Sequence, residues 1–481
     1  MSLRIASLTL LVLAAAGLYE LLPRLRRARL PTALRHAPAA WVFVAFVAVL
    51  LLWAPVVYVR SPAPAEAKTE LTGLLTGVLL AAGTVAATRG SPHGLRGLRL
   101  GWTLGLGLVL VTAAVELATG LRVHADESLT WALDPTVVAG PFRNPNDFAA
   151  ILTVLVSGVI AYRATLRGRI LRAGLAVMAL LGVVAVLLTQ SRGGLIAITL
   201  VLAIHGIRAA LDGRAALLSR SRPLPAQRCP ASSAAVSGGS PSAAGGTRHR
   251  RIVTRLFVAA TVVVAAVAAF TVPALVRLNP IAATIAAAGQ PGTARSDTLR
   301  LDLIRAGWRY FTESDRLGTG AGSFEHLLAN DPDPGVSHII WMHNSFLEFL
   351  LQYGVVVAGA LVAVIAAVLA TVAWGARPRP LARPARSAQP APTTASARRL
   401  VTAEVLSALV AFAALGTLAY TALETHVWWM MLAQAVAGAW WLAHADVKAA
   451  DRASEPSAGE VAGREATQEM RSPAGSPRSP M

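Results

Sequence analysis

HNSFLEFLLQYGVVVAGALVAVIAAVLATVAW, residues 343–374, decides the fold. Beyond His343 its only charge is Glu348, and apart from Asn344, Gln352 and Tyr353 the rest is apolar or small. About 20 apolar residues in a helix cross the hydrocarbon core of a bilayer, so this run is long enough to span one. In lipid the backbone must satisfy its own polar groups within the segment, which makes the run a helix.

Ten similar runs surround it, at 4–22, 40–59, 70–88, 101–119, 147–162, 173–189, 193–207, 253–276, 401–420 and 427–445. The whole chain of 481 residues is 55% hydrophobic and only 14% charged. Soluble domains are about 45–50% apolar and about 25% charged, so the charge deficit excludes an ordinary soluble fold. The expected class is all-α: a polytopic transmembrane helix bundle.

Lys and Arg orient it. If 23–39, 89–100, 163–172, 208–252, 375–400 and 446–481 lie inside, they hold 32 of the 44 basic residues, counting Arg255 just within the next span. That is the positive-inside pattern, with the N-terminus outside and the C-terminus inside. It also accounts for the net charge of +19 without a nucleic acid, since no aromatic platform interleaves the arginines. The first run ends in Ala14-Ala15-Ala16, which resembles a cleavage site, but the five arginines from Arg24 to Arg35 oppose export and favour an uncleaved helix. Residues 218–250 and 376–399 and the tail after 450 are rich in Ser, Pro, Ala, Gly and Arg and read as linkers. The single Cys229 permits no intrachain disulfide. The expected organisation is N-terminal helices (1–139), a core (140–375) with outer loop 277–342 and inner insert 208–252, a Pro/Arg linker (376–400), C-terminal helices (401–445) and a tail (446–481).

Three outer segments carry the polar information. In GPFRNPNDFAA (140–150), Asn144 to Asp147 read as a helix cap, and Arg143 beside that cap makes an anion site the second reading. In TQSRGGLIA (189–197), Ser191 can cap the next helix, and Arg192 reads either as an interfacial arginine or as an anion ligand. The loop 277–342 holds six arginines on the side where positive charge is normally depleted. Within it, Leu301, Leu303, Ile304, Trp308 and Phe311 fall at helical spacing, with Arg300, Arg305 and Arg309 able to share a broad face. Gly318, Gly320 and Gly322 follow, as a flexible turn or a phosphate cradle. His343 then opens the long helix, Asn344 can cap it, and Glu348 lies a turn further on where it could orient the imidazole. His326 and His338 complete no usual metal-ligand spacing.

Together, GPFRNPNDFAAIL (140–152), LLTQSRGGLIA (187–197), RLDLIRAGWRYF…DRLGTGAGSF (300–324) and HNSFLEFLLQYG (343–354) resemble the O-antigen ligase and polymerase family of bacterial membrane proteins. Their order matches too. The chain departs from the family pattern at Ile304, where a Trp is common, and in the long insert 208–252. The resemblance implies a bundle of about 11–12 spans like that of the C-type membrane glycosyltransferases, with 140–375 as catalytic core. It implies transfer or polymerisation of a glycan from an undecaprenyl-diphosphate carrier onto an acceptor sugar hydroxyl, at the outer face of the cytoplasmic membrane. The reaction would invert the anomeric centre and need no metal or other cofactor. By position, Arg192 and Arg300 would bind the diphosphate and His343 would assist the hydroxyl, with Arg143, Arg305, Asn146, Asn344 and Glu348 supporting them. The partners implied are the lipid-linked glycan, an acceptor glycan or glycolipid, and the bilayer.

A transporter of a lipid-linked glycan or small anion is the alternative. It would set its charges near the bilayer midplane, where only Glu116, Glu348 and Glu404 stand out as acidic residues in span interiors.

Overall fold

The computed structural model describes residues 37–122, 137–142, 144–220, 291–331, 344–376, 392–418 and 422–454. Eleven helices fall within them: α1 (Pro38–Arg60), α2 (Pro64–Thr88), α3 (Pro92–Thr119), α4 (Pro145–Thr165), α5 (Arg169–Leu188), α6 (Arg192–Arg220), α7 (Pro291–Glu313), α8 (Ser323–Ala329), α9 (Ser345–Ala376), α10 (Pro392–Leu418) and α11 (His426–Ser454). Eight of them, α1 to α6 with α9 and α10, are long and apolar enough to cross a membrane. Leu52, Val59, Leu104, Leu108 and Val362 stand more than half exposed on these helices, which suits lipid and would be a liability in water. The protein is an all-helical polytopic membrane protein. The expected spans 4–22 and 253–276, most of 208–252 and of the Pro/Arg linker, the end of the tail, Cys229, Arg143, His338 and His343 lie outside the described residues; of Arg300, only the backbone is described.

Six of these helices begin on proline, at 38, 64, 92, 145, 291 and 392. Proline suits the first helical position because its missing N–H would have no partner there. This is why α2 and α3 start at 64 and 92, earlier than the apolar runs at 70 and 101. Other ends also extend further than expected. Helix α6 runs to Arg220 rather than giving way to a linker at 208, α10 begins at 392, and α11 continues to Ser454. Ion pairs support the first two extensions: Asp212 takes Arg208 at 3.4 Å on its own helix and Arg399 of α10 at 2.7 Å.

Helix α11 forms the centre, although Trp, Gln and His lower its hydropathy. Trp428, Trp429, Met431, Leu432, Val436 and Ala439 have no exposed surface. The Trp428 ring stacks on Phe412 of α10 at 4.5 Å, and its Nε1–H donates to the Phe412 carbonyl at 2.8 Å. Trp429 presses on α2 where a Cβ on Gly77 would come within 2.4 Å of its ring. Helix α10 also packs against α4 and α6, so α4, α6, α10, α11 and α2 form a continuous wall.

The links 61–63, 137–142, 189–191 and 422–425 gather at one end with α8 and the turn before it. Val138 donates to Leu188 at 3.1 Å, Ala422 to the Ser345 hydroxyl at 2.6 Å, and Ala321 to Val57 at 3.1 Å. At the other end Arg99 of α3 meets Glu404 of α10 through two bonds of 2.6 and 2.5 Å. The chain therefore alternates between two ends, as the Lys and Arg distribution requires. The first end carries Arg192.

Candidate functional site

Two helix starts lie side by side at the Arg192 end. Asn144 caps α4 by accepting from the Asn146 N–H at 2.9 Å, with Pro145 as the first helical residue. Ser191 caps α6 by accepting from the Gly194 N–H at 3.1 Å. Gly194 has no side chain for a packing reason: a Cβ there would sit 2.3 Å from Ala149 of α4. One turn in from their starts, the two helices touch. Their unsatisfied N–H groups and positive dipole ends favour an anion above this contact. Arg192 is exposed at the first position of α6, and Asn146 is half-buried at the start of α4.

The approach to this pair is fixed by Glu116 of α3. Its carboxylate accepts from the N–H groups of Ala139 at 3.3 Å and Gly140 at 2.6 Å, and Arg122 lies 3.4 Å away. Arg122 in turn donates to the Val137 carbonyl at 3.0 Å. Glu116 and Arg122 thus hold the strand of chain that leads to Arg143.

The start of α9 is fixed just as firmly. Asn344 accepts from the Leu347 N–H at 3.1 Å, which makes it the expected cap. Phe346 stands edge-on to Phe412 and Trp428 at 5.6 and 5.7 Å. Glu348 is buried and accepts from the Gln352 side chain at 3.3 Å. Its pairing with an imidazole falls outside the description because His343 does.

Helix α7, which bears Arg300, packs on α9 through Leu303, Ala306, Tyr310 and Phe311 against Leu351, with Phe324 and Leu328 of α8 completing the cluster. Arg305 lies on the exposed face and pairs with Asp302 at 3.0 Å. Arg309 and the Tyr310 hydroxyl both donate to Asp331. Burial first, and then the bond to Asp331, push the Tyr310 hydroxyl up to about 12. At neutral pH it is a donor that ties α7 to the segment after α8.

The glycine turn is neither a flexible element nor a phosphate cradle. Its four consecutive N–H groups are already used. Thr319 donates to Leu351 at 2.9 Å, Gly320 to Gln352 at 3.2 Å, Ala321 to Val57, and Gly322 to the side chains of Gln352 and Glu70 at 2.8 and 3.1 Å. The acceptors Leu351 and Gln352 are free because α9 breaks at Gly354, whose φ is 75° and ψ 177°. Val355 there donates to Arg316 at 3.0 Å instead of to its own helix. Arg60 closes the socket by donating to Gly318 at 2.8 Å and Ser314 at 3.2 Å, so this cation is committed to structure.

Arg192 and Asn146 thus share one corner, on adjoining helices. Asn344 and Glu348 share a second, at the start of α9, and Arg305 stands on the outer face of α7. Helix α10 packs against α4, α6 and α9, so it contacts the helices of both corners. Sequence reasoning passed over Glu70, which is buried and accepts from the Tyr353 hydroxyl at 2.7 Å and from the Gly322 N–H. It also missed Arg99 as the partner of Glu404. A carboxylate at the edge of an apolar run was the available signal for Glu70.

A many-spanning helical membrane protein with capped helix starts and arginines at one end is the class defined so far. Residues 177–362 match the family model described as O-antigen ligase, a stretch that runs from α5 into α9. Over that stretch the chain is similar to the O-antigen ligase family. No curated protein matches the chain.

Proposed function

We propose that the protein transfers or polymerises a glycan from an undecaprenyl-diphosphate carrier onto a hydroxyl of an acceptor glycan or glycolipid. The observation that carries this reading is the O-antigen ligase match over 177–362, which contains Arg192, Arg300 and His343. The acceptor oxygen attacks the anomeric carbon, and the bond from that carbon to the carrier phosphate breaks with inversion. The electron pair leaves with the diphosphate, and the hydroxyl proton passes to the His343 imidazole, a base suited to neutral pH.

Arg192 and Arg300 neutralise the charge that grows on the leaving diphosphate. Arginine suits the task because its planar fork matches phosphate and its charge is permanent, so no metal is needed. The paired starts of α4 and α6 support Arg192 here, and Arg143, Asn146, Arg305, Asn344 and Glu348 surround the ligand. The positive-inside bias favours the extracytoplasmic side of the cytoplasmic membrane for this end.

The test uses purified protein in proteoliposomes, supplied with undecaprenyl-diphosphate glycan and acceptors, with and without chelator. Release of lipid diphosphate coupled to product is expected, unaffected by chelator. Arg192→Ala, Arg300→Ala and His343→Ala each lose about a hundredfold or more. Full activity in all three folded variants would remove the site. Glycan moved across the bilayer with its carrier bond intact would point to a transporter.

A further inference from the structure

Glu70 of α2 is a carboxylate buried in a membrane bundle, which is costly unless each oxygen is used. Both are. Oε1 accepts from the Tyr353 hydroxyl at 2.7 Å and Oε2 from the Gly322 N–H at 3.1 Å. The same N–H is shared with Gln352 Oε1 at 2.8 Å. That contact fixes which way the Gln352 amide points, and its Nε2–H then donates to Glu348 Oε1 at 3.3 Å. Glu348 in turn sits one turn into α9, with its N–H on the Asn344 carbonyl at 2.9 Å.

Three separated stretches therefore meet on one side chain: α2, the turn that ends α7, and the first turns of α9. The turn has no slack of its own. A Cβ at Gly318 would fall 2.5 Å from the Gln352 carbonyl, and one at Gly322 2.7 Å from the Glu66 backbone. Where this turn goes, the end of α7 follows.

We propose that Glu70 is a positioning residue for glycosyl transfer: through Gly322 and Gln352 it sets both α7, which carries Arg300, and the Glu348 carboxylate at the start of α9. The proposal rests on the reading of the site given above. It does not make Glu70 touch the substrate. Its distinctive demand is for two accepting oxygens, since both neighbours are donors. Glu70→Gln keeps the shape, removes one acceptor and turns an N–H₂ group on a donor.

The test compares Glu70→Gln and Tyr353→Phe with wild type by steady-state kinetics, thermal unfolding and hydrogen exchange in detergent. In Glu70→Gln, kcat should fall about 10- to 100-fold, as for removal of other partners that orient functional groups. KM for undecaprenyl-diphosphate glycan should stay at the wild-type value and Tm should fall modestly, as one buried donor loses its acceptor, while exchange quickens at 316–322 and 346–353. Tyr353→Phe removes one bond without changing packing and should give a smaller loss of kcat in the same direction. Wild-type kcat and exchange in Glu70→Gln would overturn the proposal. If Glu70→Gln unfolds, wild-type kcat in Tyr353→Phe would overturn it. Full activity in Arg192→Ala, Arg300→Ala and His343→Ala would instead remove the site on which the proposal rests, and no transfer by the wild type would remove the glycosyl-transfer reading itself, whatever Glu70 does.

Discussion

Two glycines hold the loop socket together. Gly354 has φ 75°, and a Cβ there would lie 2.4 Å from Leu317; Gly318 has φ 98° and faces the Gln352 carbonyl. Positive φ costs a side-chain-bearing residue of order 1–3 kcal/mol, and backbone atoms cannot move aside cheaply. Gly354→Ala should therefore lower stability by about 2 kcal/mol or more, read as a drop in Tm in detergent. Tyr310 gives a pH prediction. Its hydroxyl is raised from 10.0 to about 12, so the folded state holds that proton more tightly. The stability it contributes is complete below pH 10 and disappears as pH rises through about 12. Unfolding measured across that window should show the decline in wild type, and Tyr310→Phe should flatten it. The motif residues were legible one by one: Asn344 is the cap its residue type implies. Glu70 was not, because its partner Tyr353 lies 283 residues away in sequence.

Helices were legible by their apolar length and less so by their ends. Apolar periodicity marks where lipid begins, whereas prolines and ion pairs outside the lipid mark where the helix begins. Pro64 and Pro92 were signals of this kind. Pairing between helices was not readable, because Arg99 and Glu404 each look like an isolated intrusion into its own span. They form a buried pair with side-chain exposures of 9% and 6%. Removing one partner of such a pair leaves an uncompensated charge and costs about 3–5 kcal/mol, whereas replacing both with apolar groups is often neutral. Arg99→Met should thus lower Tm sharply, and Arg99→Met with Glu404→Leu should recover most of the loss. Equal Tm in the single and double variants would contradict this account of the α3–α10 contact.

At the scale of the molecule, the fold is a bundle whose hydrogen-bonded links gather at one end, with the Arg99–Glu404 pair towards the other. The Lys and Arg distribution predicted that alternation, and the hydrogen bonds from Val138 to Leu188 and from Ala422 to Ser345 show the segments gathered accordingly. Sidedness can be checked in a Cys229→Ser background. A membrane-impermeant maleimide should label Arg305→Cys in intact cells and Arg167→Cys only after permeabilisation. The reverse pattern would turn the bundle over. The claim on which the account stands is that arginines from α6 and α7 converge on a lipid diphosphate beside His343. The most direct measurement is an experimental structure with undecaprenyl diphosphate bound. The account predicts Arg192 and Arg300 nitrogens within about 3 Å of its phosphate oxygens, with the His343 imidazole facing the sugar side. A diphosphate held elsewhere, with Arg192, Arg300 and His343 apart from it and from one another, would contradict it.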